Sequence, residues 1–278
     1  MNGYGSFCLR FNKVFIYLCS MLCNVDLSFL KSTLDDYHLL FNNKSFIERD
    51  PISIPHNFTI KEDIEISAFL ISTIAWGNRT SIVANGKKLM ELMDFSPYDF
   101  IVNHQPADLK IFDSFVHRTF NSCDIQFFIT SLQNIYKHFG GLEEAFLSGF
   151  QNGNAFDGIT SFRNKFLSLD HLIRVEKHIS SPEKKSACKR LNMFLRWMVR
   201  KDNCGVDFGI WSSISPSKLI CPLDVHVARV ARQLGLLERS QNDRLAAEEL
   251  TNNLSYFCPE DPVKYDFALF GAGVNGLV

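Results

Sequence analysis

The sequence has no cysteine pair with C-x-x-C spacing after residue 23, although it contains eight cysteines. Zinc sites and iron–sulfur clusters are commonly held by such closely spaced pairs, so this spacing argues against a metal centre of either kind. We predict neither a metal nor an organic cofactor. Scattered cysteines favour reduced thiols in a cytoplasmic protein.

The chain also has no excess of charge, because 29 Lys and Arg residues stand against 30 Asp and Glu residues. The net charge therefore does not indicate binding to nucleic acid, and any basic surface has to be local. One stretch is basic: Lys184 to Lys201 contains seven Lys or Arg residues and no acidic residue. Such a run is usually a solvated helix face, but apolar residues threaded through this one support a binding role about equally.

The apolar run at residues 14–23 is too short to span a bilayer, and we predict no membrane association. It follows Arg10 and Lys13 and resembles a weak signal segment that lacks a convincing cleavage site. Met21 offers another explanation, in which residues 1–20 are translated from a misassigned start. We favour the second explanation and predict that residues 1–21 are a non-native or disordered extension.

Sustained polar–apolar alternation is absent as well, so the sequence predicts an all-α fold. Two prolines predict an extended segment at 50–56, and residues 151–158 predict a polar loop. The 26 phenylalanines indicate a core packed with aromatic rings. The apolar spacing predicts helices at residues 27–41, 61–76, 82–93 (capped by Thr80 and Ser81), 97 onward, 109–115, 124–139, 142–150, 160–169, 186–201, 225–234, 243–257 and 262–270.

Lys189 lies within the basic stretch, at the start of an amphipathic helix. Lys189, Met193, Arg196 and Arg200 have the spacing of one helix face. Most lysines lie on protein surfaces, so a solvated cation is the better interpretation of Lys189 on composition alone.

Asp224 follows Pro222 and stands where an N-cap belongs, before a helix that begins at Val225. Capping by itself explains this aspartate, although a capping carboxylate can still face a cleft. His226 fits a packed histidine better than a metal ligand, since no second ligand type lies near it in sequence.

Lys189 with its apolar helix, and the segment PLDVHVARV at 222–230, resemble the active-site region of the helix–hairpin–helix DNA glycosylase superfamily. In that superfamily a hairpin lysine and an aspartate in a V-D-T-H-x-x-R-V type segment carry the chemistry. The resemblance makes Lys189 the candidate Schiff-base nucleophile and Asp224 the candidate catalytic carboxylate. Residues 70–80 resemble the helix and turn that probe the DNA stack.

Residues 266–271 resemble the closing helix of the superfamily, so the likeness covers about residues 60–273. Segments 192–198 and 262–271 are similar to an uncharacterised bacterial family, distantly related to the archaeal 8-oxoguanine glycosylases. The implied fold is a two-lobed helical bundle. One lobe lies around 60–175, and the other is made of 22–59 plus 176–278.

The resemblance implies a DNA-repair glycosylase with lyase activity on a flipped damaged base, an oxidised purine being the candidate. Its partner would be double-stranded DNA with a damaged base or an abasic site, bound by a monomer in the cytoplasm at the nucleoid. Trp76 would wedge into the duplex or stack on the base, unless it is a core residue. The residues expected to contact DNA are Trp76, Arg79, Lys184, Lys185, Arg190, Arg196 and Arg229.

The chain departs from the superfamily in the hairpin, which usually reads L-P-G-[VI]-G-x-K. Here residues 185–189 read KSACK, without the glycines that let backbone N–H groups approach a phosphate. The spacing from Lys189 to Asp224 is also longer than usual, with an extra segment at 202–220. Two other functions stay open: a non-catalytic DNA-binding protein on the same fold, and an all-α enzyme or scaffold for phosphorylated small molecules.

Overall fold

The computed structural model describes residues 27–48, 50–151 and 153–277. The prediction for residues 1–21 lies outside these ranges. The described part contains the following α-helices: α1 (Leu27–Phe41), α2 (Lys44–Ile47), α3 (Lys61–Ile74), α4 (Arg79–Leu92), α5 (Pro97–Asn103), α6 (Ser122–His138), α7 (Leu142–Phe150), α8 (Ala155–Phe166), α9 (Lys189–Val199), α10 (Val225–Gln233), α11 (Arg244–Phe257) and α12 (Asp266–Asn275).

Short 3-10 helices join these elements, at Pro51–Ser53, Pro55–Asn57, Asp108–Phe112, Ile173–His178, Pro216–Lys218 and Pro262–Tyr265. The all-α prediction is confirmed at the level of a mostly helical protein. None of the described helices combines the length and the apolar character needed to cross a membrane. The helix–hairpin–helix type and the division into two lobes stay predictions.

Several local predictions are wrong. The segment 50–56 is not extended, because Pro51 and Pro55 each begin a 3-10 helix, where a missing N–H is tolerated. Helix α4 begins earlier than expected, with Asn78 as its cap in place of Thr80 and Ser81.

The polar loop predicted at 151–158 is shorter than expected, because Asn154 and Asp157 form a capping box that starts α8 at Ala155. A small antiparallel hairpin was also missed: β1 (Val116–His117) pairs with β2 (Phe120–Asn121). Each strand has two residues, which are too few to produce a period-2 pattern in the sequence.

Helix α3 forms the centre of the core, and Asp63 to Ile74 are all buried. It packs against α4, α5 and α9, while α7 packs on α8 and α12 packs on both α1 and α10. The Phe69 ring contacts four other rings of the core, those of Phe128, Phe162, Phe166 and Phe194. The aromatic core expected from the composition is therefore present, and it fixes α9 on α3.

Candidate active site

A cleft of about 610 Å³ lies where the first turns of α9 and α10 meet the end of α3. Helix α12 closes one side through Asp266, Phe270 and Val274, and the segment Asp50–Pro51 adds to the lining. Lys189 and Asp224 both line this cleft. The fold thus brings together two side chains that are 35 residues apart in the sequence.

The loop before α9 places Lys189 as the first residue of that helix. Lys185 and Cys188 have positive φ values of 63° and 48°, the left-handed conformation that favours glycine. Ser186 forms an isolated bridge with Asp243, and the Lys185 carbonyl accepts from Arg244 N at 3.0 Å. The loop therefore makes a hairpin-like reversal without glycine and is fastened to the start of α11.

Asp224 is the N-cap of α10, as expected. Its Oδ1 accepts from the backbone N–H groups of His226 and Val227, each at 2.9 Å. The Oδ2 atom lies 4.0 Å from Lys189 Nζ. Capping holds the carboxylate in place through one oxygen and leaves the other directed at the amine.

The pair is accessible, since the Lys189 side chain is 30% exposed and that of Asp224 is 17% exposed. A distance of 4.0 Å is at the outer limit of an ion pair, so neither group is locked to the other. An amine beside a carboxylate can attack an electrophilic carbon while the carboxylate takes a proton or stabilises positive charge.

Trp76 and Arg190 form the wall of the cleft beside Lys189. The Arg190 guanidinium lies over the half-buried Trp76 ring, 4.8 Å from its centroid. It donates to the carbonyls of Thr73 and His178, and burial lowers the pKa of Arg190 to about 10. Trp76 thus presents one part of its ring to the cleft, while protein carbonyls already hold part of Arg190.

Arg196 is paired inside the protein. Its side chain is 5% exposed and is paired with Asp207 at 3.2 Å and with Asp266. This pairing argues against the predicted contact of Arg196 with DNA, because a buried guanidinium held by two carboxylates has little capacity left for a phosphate. Arg200, directly after the helix, is likewise buried and paired with Asp202, Asp207 and Asp261.

The other predicted DNA contacts lie on the surface. Arg79 is exposed at the cleft, 5.8 Å above the Phe270 ring. Lys184, which is 74% exposed, lies 3.4 Å from Glu176, and Lys185 is exposed beside it. Arg229 is exposed on α10 and donates to the Gly273 carbonyl at 2.9 Å. Of these four cations, Arg79 is the one that lines the cleft.

Two carboxyl groups of the cleft were missed. Burial, with a smaller contribution from the Asp224 carboxylate, raises the pKa of Asp266 to about 6, although contact with Arg196 lowers it. Burial also raises the pKa of Asp50. The sequence contains a feature that could have identified each of them. Asp266 is the first residue of the segment that resembles the closing helix, and Asp50 directly precedes Pro51, where a helix cap is common.

Among the described residues, no group of three or more His, Cys, Asp or Glu side chains is placed to hold a metal ion. The family comparison covers nearly the whole described chain. Residues 50–275 match the model of a family described as a protein of unknown function (DUF2400). The chain belongs to that family. Searches of curated proteins and of solved structures found no match.

Proposed function

We propose that the protein is a DNA glycosylase with lyase activity, in which Lys189 is the nucleophile and Asp224 the catalytic carboxylate. The observation that carries the proposal is the 4.0 Å separation of Lys189 Nζ and Asp224 Oδ2 inside one cleft. The resemblance to the helix–hairpin–helix superfamily assigned these two roles from the sequence alone. Had the two side chains lain far beyond reach of each other, this function would have been untenable.

The chemistry needs only protein side chains. The Lys189 amine attacks C1′ of the damaged nucleotide, the C1′–N bond breaks, and the base leaves with the bonding electrons. Asp224 stabilises the positive charge that develops on the sugar and accepts the proton that the amine loses. The C1′–O4′ bond then breaks, O4′ takes up the proton held by Asp224, and the nitrogen lone pair forms the C1′=N bond of a Schiff base. Loss of a C2′ proton then permits β-elimination of the 3′ phosphate, so strand nicking accompanies base removal.

The target base has to leave the duplex, because its C1′ is not accessible within the stack. The cleft volume of about 610 Å³ is sufficient for one nucleotide. Trp76 supplies an aromatic surface at the cleft wall for stacking, which is worth about 1–3 kcal/mol a base. Exposed Lys184 and Lys185 on the hairpin, with Arg79 at the cleft mouth, are placed to hold backbone phosphates.

A non-catalytic DNA-binding protein is the second candidate. Two observations favour it: the hairpin has no glycine, and Arg196 and Arg200 are used inside the protein. In a non-catalytic DNA-binding protein, the surface cations would still bind a duplex, but Lys189 would form no bond to the sugar.

Borohydride trapping tests the proposal, with duplexes that carry either an abasic site or 8-oxoguanine. The wild type should form a covalent adduct on the abasic duplex, and Lys189→Ala should form none. Lys88→Ala is the matched control, since it removes an exposed lysine of α4 outside the cleft and should still be trapped. Duplex binding without an adduct would select the non-catalytic alternative. Absence of both binding and adduct would exclude both DNA functions.

A further inference from the structure

Asn242 lines the cleft together with the reacting pair, and its amide has a fixed orientation. The residue is exposed, and it shares the cleft lining with Lys189 and Asp224. Its Oδ1 accepts from Arg232 Nη2 at 2.6 Å. A guanidinium carries donors and no acceptor, so the amide atom that faces Arg232 has to be the oxygen. The other end of the amide, Nδ2, therefore carries its two protons away from Arg232.

The loop that carries Asn242 is held by the same arginine. Arg232 donates to the Arg239 carbonyl from Nε at 3.0 Å and from Nη2 at 2.7 Å, and to the Ser240 carbonyl at 3.0 Å. Within the part of the chain that the structure describes, nothing accepts a hydrogen bond from Asn242 Nδ2. Asn242 thus presents a donor that is held in place before any ligand arrives, which lowers the entropic cost of binding one.

Asn242 lies where the cleft meets the hairpin before α9. The next residue, Asp243, forms the isolated bridge with Ser186, and Arg244 N donates to the Lys185 carbonyl at 3.0 Å. The cleft lining is therefore continuous, through one short loop, with the hairpin and its exposed lysines. A DNA strand that runs from the cleft to those lysines has to pass Asn242.

The charges around this position permit an anion. Asp243 directly follows Asn242, and an unpaired carboxylate there would repel a phosphate. Arg239 balances it, because its Nε donates to Asp243 Oδ1 at 2.7 Å and its Nη2 lies 2.5 Å from Oδ2. Asparagine side chains are common donors to backbone phosphates in protein–DNA complexes. A phosphate oxygen is therefore the acceptor that suits Nδ2.

We propose that Asn242 is a phosphate-binding residue for the target strand where it leaves the cleft, and that Arg232 is its positioning residue. Asn242 Nδ2 donates to a nonbridging oxygen of a phosphate close to the flipped nucleotide. This inference rests on the proposed glycosylase function, and it adds a backbone contact between the reacting pair and the hairpin.

Methylphosphonate interference tests the contact. The duplexes carry tetrahydrofuran, an abasic analogue that cannot form a Schiff base, at the target position. Each phosphate near the target is replaced in turn by a neutral methylphosphonate, and the affinity is measured. Wild type should lose about tenfold in affinity at the phosphate that Asn242 contacts, the factor expected for one hydrogen bond to a charged group. Asn242→Ala should bind the unmodified duplex about tenfold less tightly and lose less than about twofold more at that phosphate.

Arg232→Met tests the positioning role. It leaves Asn242 in place but frees its amide to turn, so the affinity loss at the same phosphate should become smaller than in wild type. A merely structural role of Arg232 would lower thermal stability without changing the response at that phosphate. Asn252→Ala is the control, because it removes an exposed amide of α11 outside the cleft and should keep the wild-type response at every phosphate. Thermal unfolding of each variant checks that it is folded.

Equal responses of wild type and Asn242→Ala at every phosphate would overturn the proposal, and a wild-type response in Arg232→Met would overturn the role of Arg232. In both cases, a borohydride-trapped adduct of wild type on an abasic duplex would show that the glycosylase function itself survives. Loss of both tetrahydrofuran binding and adduct in wild type would overturn the function and this inference together.

Discussion

Helix α9 carries two kinds of cation that differ in what surrounds them. Lys189 is partly exposed and lies 4.0 Å from a single carboxylate oxygen. Arg196, further along the helix, and Arg200, directly after its end, are buried and paired with several carboxylates. One end of the helix therefore has an open pair that can react, and the other has a closed network that cannot.

The difference teaches that burial and the number of partners decide what a charge does. A buried guanidinium with two or three carboxylates has little capacity left for a ligand, and its removal would leave unpaired charges inside the protein. The Lys189–Asp224 pair is more exposed and more loosely held, so its removal should affect chemistry more than folding. The following changes separate these two kinds of contribution.

The largest effect should come from Asp224→Asn. We expect the rate of adduct formation with abasic DNA to fall by about 10²- to 10⁴-fold, because the amide cannot take up a proton or balance positive charge. Asparagine caps helices about as well as aspartate, so the free energy of unfolding should change by less than about 0.5 kcal/mol. A rate within about threefold of wild type would remove Asp224 from the mechanism.

Arg196→Met should mainly affect stability. It removes the guanidinium that is paired with buried Asp266 and one of the two arginines paired with Asp207, which should lower the free energy of unfolding by about 3–5 kcal/mol. Urea denaturation at neutral pH measures the change, with Arg229→Met as the exposed control. A decrease below about 1 kcal/mol would mean that the network is not an important part of the fold.

A smaller, pH-dependent effect is expected for Asp266→Asn. Burial raises the pKa of Asp266 from 3.8 to about 6, so the folded state binds this proton more tightly than the unfolded state. Wild-type stability should therefore decrease, relative to Asp266→Asn, as the pH rises from about 4 to about 6, and the difference should then level off. Urea denaturation across this range measures it, and a difference that does not vary with pH would contradict the raised pKa.

The smallest effect should come from the hairpin surface. Replacing Lys184 and Lys185 with alanine should weaken duplex binding modestly and reduce the slope of log affinity against log salt by about 1 for each lysine that binds a phosphate. Lys87→Ala with Lys88→Ala, an exposed pair on α4 outside the cleft, should leave the slope unchanged. Equal slopes for both double variants would exclude the hairpin as a phosphate-binding element.

Much of the helical fold was predictable, because apolar spacing is a local property. Helices α1 and α7 have the bounds that the sequence predicted. The cap at Asp224 was also local, since Pro222 and the apolar pattern from Val225 mark a helix start. That Asp224 faces Lys189 came from the family resemblance rather than from any local pattern.

The burial and ion pairing of Arg196 could not be predicted from the sequence, because they depend on a long-range contact. Helix periodicity places Arg196 near the Lys189 face, but it cannot show that the segment after α9 folds back along the helix. There Phe208 N donates to the Trp197 carbonyl at 2.8 Å, and this return brings Asp207 onto Arg196. The same kind of long-range approach brings Asp50 into the cleft.

The hairpin shows a different limit of sequence reasoning. Its positive φ values at Lys185 and Cys188 are of the kind usually assigned to glycine, and a non-glycine residue there costs about 1–2 kcal/mol. Residues 185–189 contain no glycine that would indicate such a reversal in the sequence, yet the chain still reverses there. The bridge between Ser186 and Asp243 helps to hold a conformation that the local sequence does not favour.

The most direct test of the central claim is to locate the covalent bond. The wild type would be trapped with borohydride on an abasic duplex, digested with protease and nuclease, and the modified peptide sequenced by mass spectrometry. The open pair at the start of α9 predicts a single adduct on Lys189. An adduct on Lys184 or Lys185 instead, or none on a duplex that is bound, would contradict the assignment of Lys189 as the nucleophile.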